Sequence, residues 1–159
     1  MNSAPSRLSL ENSNGPRARK RPVGSSPAPA MKTILIVDDY EVVRLYHSMF
    51  LSQKGYRCIP ASDGKEALAL LKQQRVDLVL LDLVMPNMSG QEVIRHIRAI
   101  PELAALPILA ITSEAKRVGD AQLGDPRHLR FLLKPVMPDT LVAQVRTMLG
   151  QDDAAPLSA

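Results

Sequence analysis

From Met31 onward, hydrophobic and polar positions follow two alternating patterns. Short apolar runs occur at residues 34–37, 56–59, 78–81, 108–111 and 129–133, interrupted only by Arg57 in the second and Arg130 in the fifth, and each bounded by polar or turn residues. Runs that are apolar at every position, without in–out alternation, suit strands buried on both faces, as in a parallel sheet. Between them apolar residues recur at spacings of three and four. One set is Val42, Val43, Tyr46, Met49 and Phe50; a second is Ala67, Leu68 and Leu71 after Asp63-Gly64; a third is Val93, Ile94 and Ile97 after Ser89-Gly90; a fourth is Leu141, Val142, Val145, Met148 and Leu149. These spacings predict helices. A further helix over residues 113–124 is the weakest, because only Ala115, Val118, Ala121 and Leu123 are apolar there and Gly119 lies in the middle. Five strands alternating with five helices, joined by right-handed crossovers, predict an α/β protein: a doubly wound five-stranded parallel sheet in three layers. Pro60, Pro101, Pro107 and Pro135 are expected at the junctions between elements, where proline is tolerated.

Composition narrows the picture. The chain has 159 residues, room for one domain at roughly 100–200 residues each. Its apolar runs of four or five residues are far shorter than the ~18 needed to cross a bilayer. The N-terminus lacks an apolar block behind a basic start, so a cytoplasmic protein with no membrane partner is expected. Cys58 is the only cysteine, which excludes an internal disulfide and a cysteine-only metal site. His47, His96 and His128 place no two on one helical face, so zinc is not expected and they are read as surface or boundary residues. The net charge of +4 resides in residues 1–30, where Arg7, Arg17, Arg19, Lys20 and Arg21 face Glu11 alone. That segment has five prolines, six serines and almost no apolar periodicity, so disorder is expected there. The domain is assigned to residues 31–150, with a short flexible tail at 151–159. Aromatics make up 3% of the chain, which disfavours a base-stacking nucleic-acid binder, and the basic segment is read as a solubilising leader.

In an open parallel sheet, ligands bind beyond the carboxyl ends of the strands. Asp38 and Asp39 follow the first predicted strand, Asp82 the third, Thr112 the fourth and Lys134 the fifth. Any one of these would be a routine strand end or helix cap. Three carboxylates converging on one rim would repel and raise one another's pKa unless a cation joined them. Oxygen ligands in that number suit Mg²⁺, which keeps several waters and favours sites that also receive phosphate.

The segments VDDY at 37–40, LLDLVMPNMSG at 80–90, ITSEA at 111–115 and FLLKP at 131–135 occur in order and with compatible spacing. With them the chain resembles the receiver domain of bacterial two-component response regulators, in its single-domain, chemotaxis-regulator-like form. The resemblance implies the flavodoxin-like (βα)5 receiver fold. It also implies that Asp82 is the phosphoacceptor, Asp39 a direct Mg²⁺ ligand, Asp38 an acid holding the metal through water, and the Val84 carbonyl a further ligand. Lys134 and Thr112 would bind phosphoryl oxygens, and Thr112 with Phe131 would form the conformational switch. A cis bond between Lys134 and Pro135 is expected on the same ground. The phosphoryl donor would be a histidine kinase or phosphotransfer protein, and the output a change in binding to a downstream protein.

Two other functions would use parts of the same pattern. An aspartate-nucleophile phosphatase of the haloacid dehalogenase type needs a second acid two residues after the nucleophile, where Val84 stands. A DNA-binding regulator needs a reader module, and only nine residues follow Gly150, leaving the basic tail as the sole candidate. The expected protein is therefore a phosphorylation-dependent switch without substrate turnover and without a nucleic-acid partner. Its phosphoryl group should be long-lived, because Val84 cannot position water and Glu114, two past Thr112, repels the dianion.

Overall fold

The sheet consists of Thr33–Val37 (β1), Arg57–Ala61 (β2), Leu78–Asp82 (β3), Ile108–Thr112 (β4) and Leu129–Leu133 (β5). All pairs are parallel, in the order β2-β1-β3-β4-β5. The computed structural model describes residues 30–117 and 123–152; the basic segment 1–29 and residues 153–159 lie outside the described residues.

The central strands are buried along their whole length. Side chains alternate across a strand, so Ile34, Ile36, Leu78, Leu80, Leu109 and Ile111 enter one core while Leu35, Val37, Val79, Leu81, Ile108 and Ala110 enter another. Helices Glu41–Gln53 (α1) and Pro138–Met148 (α4) cover the first face with Leu51, Leu141, Val142 and Val145. Helices Gly64–Gln73 (α2) and Gly90–Ala99 (α3) cover the second with Ala67, Leu71, Val93, Ile94 and Ile97. The three predicted layers are present. Each fully buried aliphatic side chain contributes about 1.5–3 kcal/mol, which is why an almost non-aromatic core suffices. Helix starts follow local chemistry: Asp63 accepts a bond from the Glu66 N–H, and Ser89 and Glu92 form a capping box.

The structure corrects several expectations. Pro60 lies inside β2, opposite Ile36, rather than at a junction. β2 is an edge strand with one unpaired side, so a residue without an N–H fits there. Tyr56 precedes β2 rather than starting it; it is buried, and its hydroxyl donates to Gln151 Oε1 at 2.6 Å. The edge strands β2 and β5 are only partly buried, because each has a neighbour on one side alone. Of the segment 113–124 expected to be helical, Ala115–Arg117 form a short 3-10 turn, and residues 118–122 lie outside the described residues. Among the described residues no helix is long and apolar enough to cross a membrane.

The apolar residues of α1 divide between two faces. Val42, Leu45, Tyr46 and Met49 point outward, with Val42 78% exposed, while His47 and Leu51 are buried. His47 is thus not a surface residue. Burial, and then the positive charge of Lys134, push its pKa down, and its ring packs against that of Tyr46 in an edge arrangement.

Candidate functional site

The strand order reverses direction between β1 and β3, and the residues leaving the carboxyl ends of these two strands face one another. One carboxylate oxygen from each of Asp38, Asp39 and Asp82 lies within 4.8 Å of the others. The main chain holds this corner. The Asp38 N–H donates to the Ala61 carbonyl at 3.2 Å, and the Asp38 carbonyl accepts from Arg44 Nη1 at 2.7 Å. Asp38 Oδ1 takes the Tyr40 N–H at 2.9 Å as the chain turns into α1.

Asp82, the last residue of β3, is buried. Its Oδ1 accepts the Val84 N–H at 3.1 Å, and its Oδ2 lies 3.4 Å from Lys134 Nζ. Lys134 is placed by β5: its N–H donates to the Thr112 carbonyl at 2.8 Å, and the following bond to Pro135 is cis. Thr112 ends β4, fully buried, with its hydroxyl accepting the Glu114 N–H at 3.0 Å. Phe131 is half-buried against the α2–α3 core. The five residues singled out at strand ends therefore meet on one rim, and Val84 borders it with an exposed side chain.

Charge in this corner is unbalanced. Three carboxylates face one ammonium, and Asp39 Oδ1 is inaccessible to solvent with no hydrogen-bond partner among the described residues. Burial, with the charges of Asp82 and Asp39 adding, raises the Asp38 pKa to about 6. A buried, unpartnered carboxylate oxygen is costly to the fold, by about 1–3 kcal/mol or more. Its persistence beside two further acids fits a site for a hard divalent cation with oxygen ligands. Glu114 departs from expectation: its carboxylate is bonded to Arg117 Nε at 2.6 Å, which holds its pKa below the usual range. Its charge is already paired, so it repels an anion on the rim less than its sequence position implies.

Gly90 shows why the loop after Asp82 needs a glycine. A Cβ there would lie 2.6 Å from the Asp82 carbonyl oxygen and 2.6 Å from Leu83 Cα, both main-chain atoms that cannot swing aside. Gly90→Ala should therefore push α3 off the end of β3 and cost about 1–3 kcal/mol as overpacking. Urea unfolding checks this. A loss below about 0.5 kcal/mol, the range of ordinary surface substitutions, would show that the helix start yields freely.

Sequence periodicity missed the outward apolar stripe of α1, which ends beside the acidic corner. Its signal was present: apolar residues at 42, 43, 45, 46, 49, 50 and 51 are too many for one helical face.

Comparison with known proteins agrees with this geometry. Residues 34–146 match the family described as the response regulator receiver domain. The chain superimposes on the Vibrio cholerae chemotaxis protein CheY4 with TM-score 0.68 and 33% identity, over 75% of this chain and 99% of CheY4. It superimposes on the Thermotoga maritima response regulator TrrA, solved in complex with Mg²⁺-BeF, with TM-score 0.65 and 31% identity, over 74% of this chain and 99% of TrrA. Protein PilH of Pseudomonas aeruginosa is 31% identical over 121 residues, covering 76% of this chain and 99% of PilH. The chain spans about half the length of several transcriptional regulators that it also matches. With the parallel β2-β1-β3-β4-β5 sheet, the acidic corner and these relatives in agreement, the chain belongs to the response regulator receiver domain family of two-component phosphorelay signalling.

Proposed function

We propose that Asp82 accepts a phosphoryl group from a histidine kinase or phosphotransfer protein in the cytoplasm, and that the phosphorylated domain switches its binding to a downstream protein. The observation that carries this reading is the convergence of Asp38, Asp39 and Asp82 within 4.8 Å, with Lys134 Nζ 3.4 Å from Asp82 Oδ2. A carboxylate oxygen of Asp82 forms the new bond to phosphorus while the bond from phosphorus to the donor imidazole nitrogen breaks. Asp39 would hold Mg²⁺ directly, Asp38 through water, and the Val84 carbonyl would complete the protein's share. When bound, that cation neutralises charge on the phosphoryl oxygens. Lys134 supplies a fixed positive charge to one phosphoryl oxygen, and the Thr112 hydroxyl donates to another. Moving the Thr112 side chain toward the phosphoryl group opens space that Phe131 can enter, which alters the surface around β4 and β5. The exposed stripe of Val42, Leu45, Tyr46 and Met49 offers an apolar seat for the phosphodonor beside the rim. We read the domain as a switch and not as a turnover enzyme, since Val84 stands where a proton-transferring acid would be needed.

Incubation with acetyl phosphate and Mg²⁺ should add one phosphoryl group to the intact mass, and a chelator should prevent it. Labelling that ignores Mg²⁺, or none at any Mg²⁺ concentration, would overturn the reading.

The lifetime of the phosphoryl group tests the flank of the site. Val84 is 56% exposed at the rim and cannot hydrogen-bond water with its side chain. Val84→Asn should speed dephosphorylation about 10- to 100-fold, the lower part of the range for assistance to proton transfer. Glu114→Gln should change it less, because Arg117 already occupies that carboxylate. The half-life at fixed Mg²⁺ decides; an unchanged value in Val84→Asn removes the flank argument.

A further inference from the structure

We propose that Arg44 is a positioning residue for the metal ligand Asp39: it fixes the main chain on both sides of that residue, and through it the affinity of the acidic corner for Mg²⁺. The inference rests on the reading of that corner as a Mg²⁺ site and adds a residue to it. Asp39 holds no hydrogen bond of its own among the described residues, on its main chain or on the buried Oδ1. It lies between the end of β1 and the start of α1, so neither a strand ladder nor a helix holds its peptide groups. Its neighbours therefore decide where its carboxylate points.

Arg44, one turn into α1, bonds to the carbonyls of both residues that flank Asp39. Its N–H donates to the Tyr40 carbonyl at 3.1 Å, and its guanidinium Nη1 donates to the Asp38 carbonyl at 2.7 Å. The first bond is the ordinary helical one, which any residue but proline can make. The second belongs to the side chain. The Asp38 carbonyl is part of the peptide group that leads into Asp39, so a rotation of that group carries the Asp39 carboxylate with it. A side-chain cap at the start of α1 does not do this work, since Tyr40 at the cap position makes no such bond. Mg²⁺ demands near-ideal octahedral geometry and tolerates little displacement of a ligand.

The charge of Arg44 does not explain its place. Arg44 is half-buried and forms no ion pair among the described residues, although three carboxylates make up the corner. The charges that act on the Asp38 carboxylate are those of Asp82, Lys134 and Asp39. The guanidinium thus holds a carbonyl and not an acid, through a charge-assisted bond of the short kind. The two roles differ in sign. A cation beside a cation site opposes Mg²⁺, so loss of the charge alone would tighten binding, whereas loss of a positioning bond weakens it.

Calorimetric titration of Mg²⁺ into the full chain tests this. Arg44→Met keeps the apolar stem and loses the donors, and should bind Mg²⁺ about 10- to 100-fold more weakly than the parent, the usual cost of losing a group that orients a ligand. Arg44→Lys keeps the charge without the planar fork and should weaken binding by a smaller factor; it serves if the methionine variant fails to fold. Circular dichroism with a chelator present shows which variants are folded, and a general loss of stability does not alter the Mg²⁺ affinity of folded molecules. Labelling by acetyl phosphate gives a second readout: Arg44→Met should need about 10- to 100-fold more Mg²⁺ for its half-maximal rate, and should reach the parent rate once Mg²⁺ saturates. Mg²⁺ binding by a folded methionine variant that equals or exceeds the parent's would overturn the proposal and leave the Mg²⁺ site standing. A labelling rate that stays low at saturating Mg²⁺ would also overturn it, by placing Arg44 in phosphoryl transfer itself. Absence of Mg²⁺ binding by the parent would overturn the site and the proposal together.

Discussion

Asp82→Asn should leave no detectable phosphoryl group after incubation with acetyl phosphate and Mg²⁺. The amide keeps the size of the carboxylate and can still accept the Val84 N–H, so the loop after β3 has no reason to move. What it loses is the anionic oxygen that attacks phosphorus. Removing a covalent nucleophile usually lowers the rate by at least about 10³-fold, which takes labelling below detection. Asp38 and Asp39 are the available substitutes, since their oxygens lie within 4.8 Å of Asp82. Neither is the carboxylate paired with Lys134, which sits 3.4 Å from Asp82 Oδ2. Peptide mapping distinguishes the cases: a phosphoryl group that reappears on Asp38 or Asp39 would show that the acidic corner, and not Asp82 within it, is the acceptor.

In the presence of a chelator at pH 7.5, Asp38→Asn should be more stable than the parent protein. The Asp38 pKa rises from 3.8 to about 6 on folding, chiefly through burial and then through the neighbouring carboxylates. A carboxyl with a raised native pKa favours the fold while protonated, so stability is highest below pH 4 and declines as pH rises through 6. Above that window, ionised Asp38 costs the metal-free fold about 3 kcal/mol, taking 1.36 kcal/mol per pKa unit. Asparagine cannot ionise, keeps an oxygen for the Tyr40 N–H, and removes the cost. The advantage should vanish below pH 4, and saturating Mg²⁺ should reverse it by stabilising only the parent. Urea titrations across this range check the sign; an asparagine variant less stable than the parent at pH 7.5 without metal would contradict it. For the same reason, protons should compete with Mg²⁺ as pH falls below about 6.

The chain alone determined the layer architecture and the members of the rim. Residues 34–37, 78–81 and 108–111 are apolar at every position, and only a strand covered on both faces satisfies that pattern. Once the strands are parallel and the crossovers right-handed, the residue ending each run has one destination, so Asp38, Asp39, Asp82, Thr112 and Lys134 could be named together. Residue type supplied the chemistry, since carboxylates, a hydroxyl and an ammonium have fixed roles toward a cation and a phosphoryl group.

Tertiary structure alone decided everything that depends on which of two adequate surfaces is used. The helix α1 is apolar on more than one side, and periodicity pointed inward at Val42, Tyr46 and Met49, which the fold leaves exposed. The face that packs is set by the groove that β1, β2 and the Lys134 loop offer, a shape assembled from residues far apart in the chain. His47 is buried for that reason, and Pro60 can lie within β2 because that strand is at the edge. The unpartnered Asp39 oxygen and the contact of Gly90 with the Asp82 carbonyl have the same origin. Local pattern specifies which elements form. Distances of a few ångströms between elements come from close packing of the whole core, in which each side chain's place depends on the volume left by its distant neighbours.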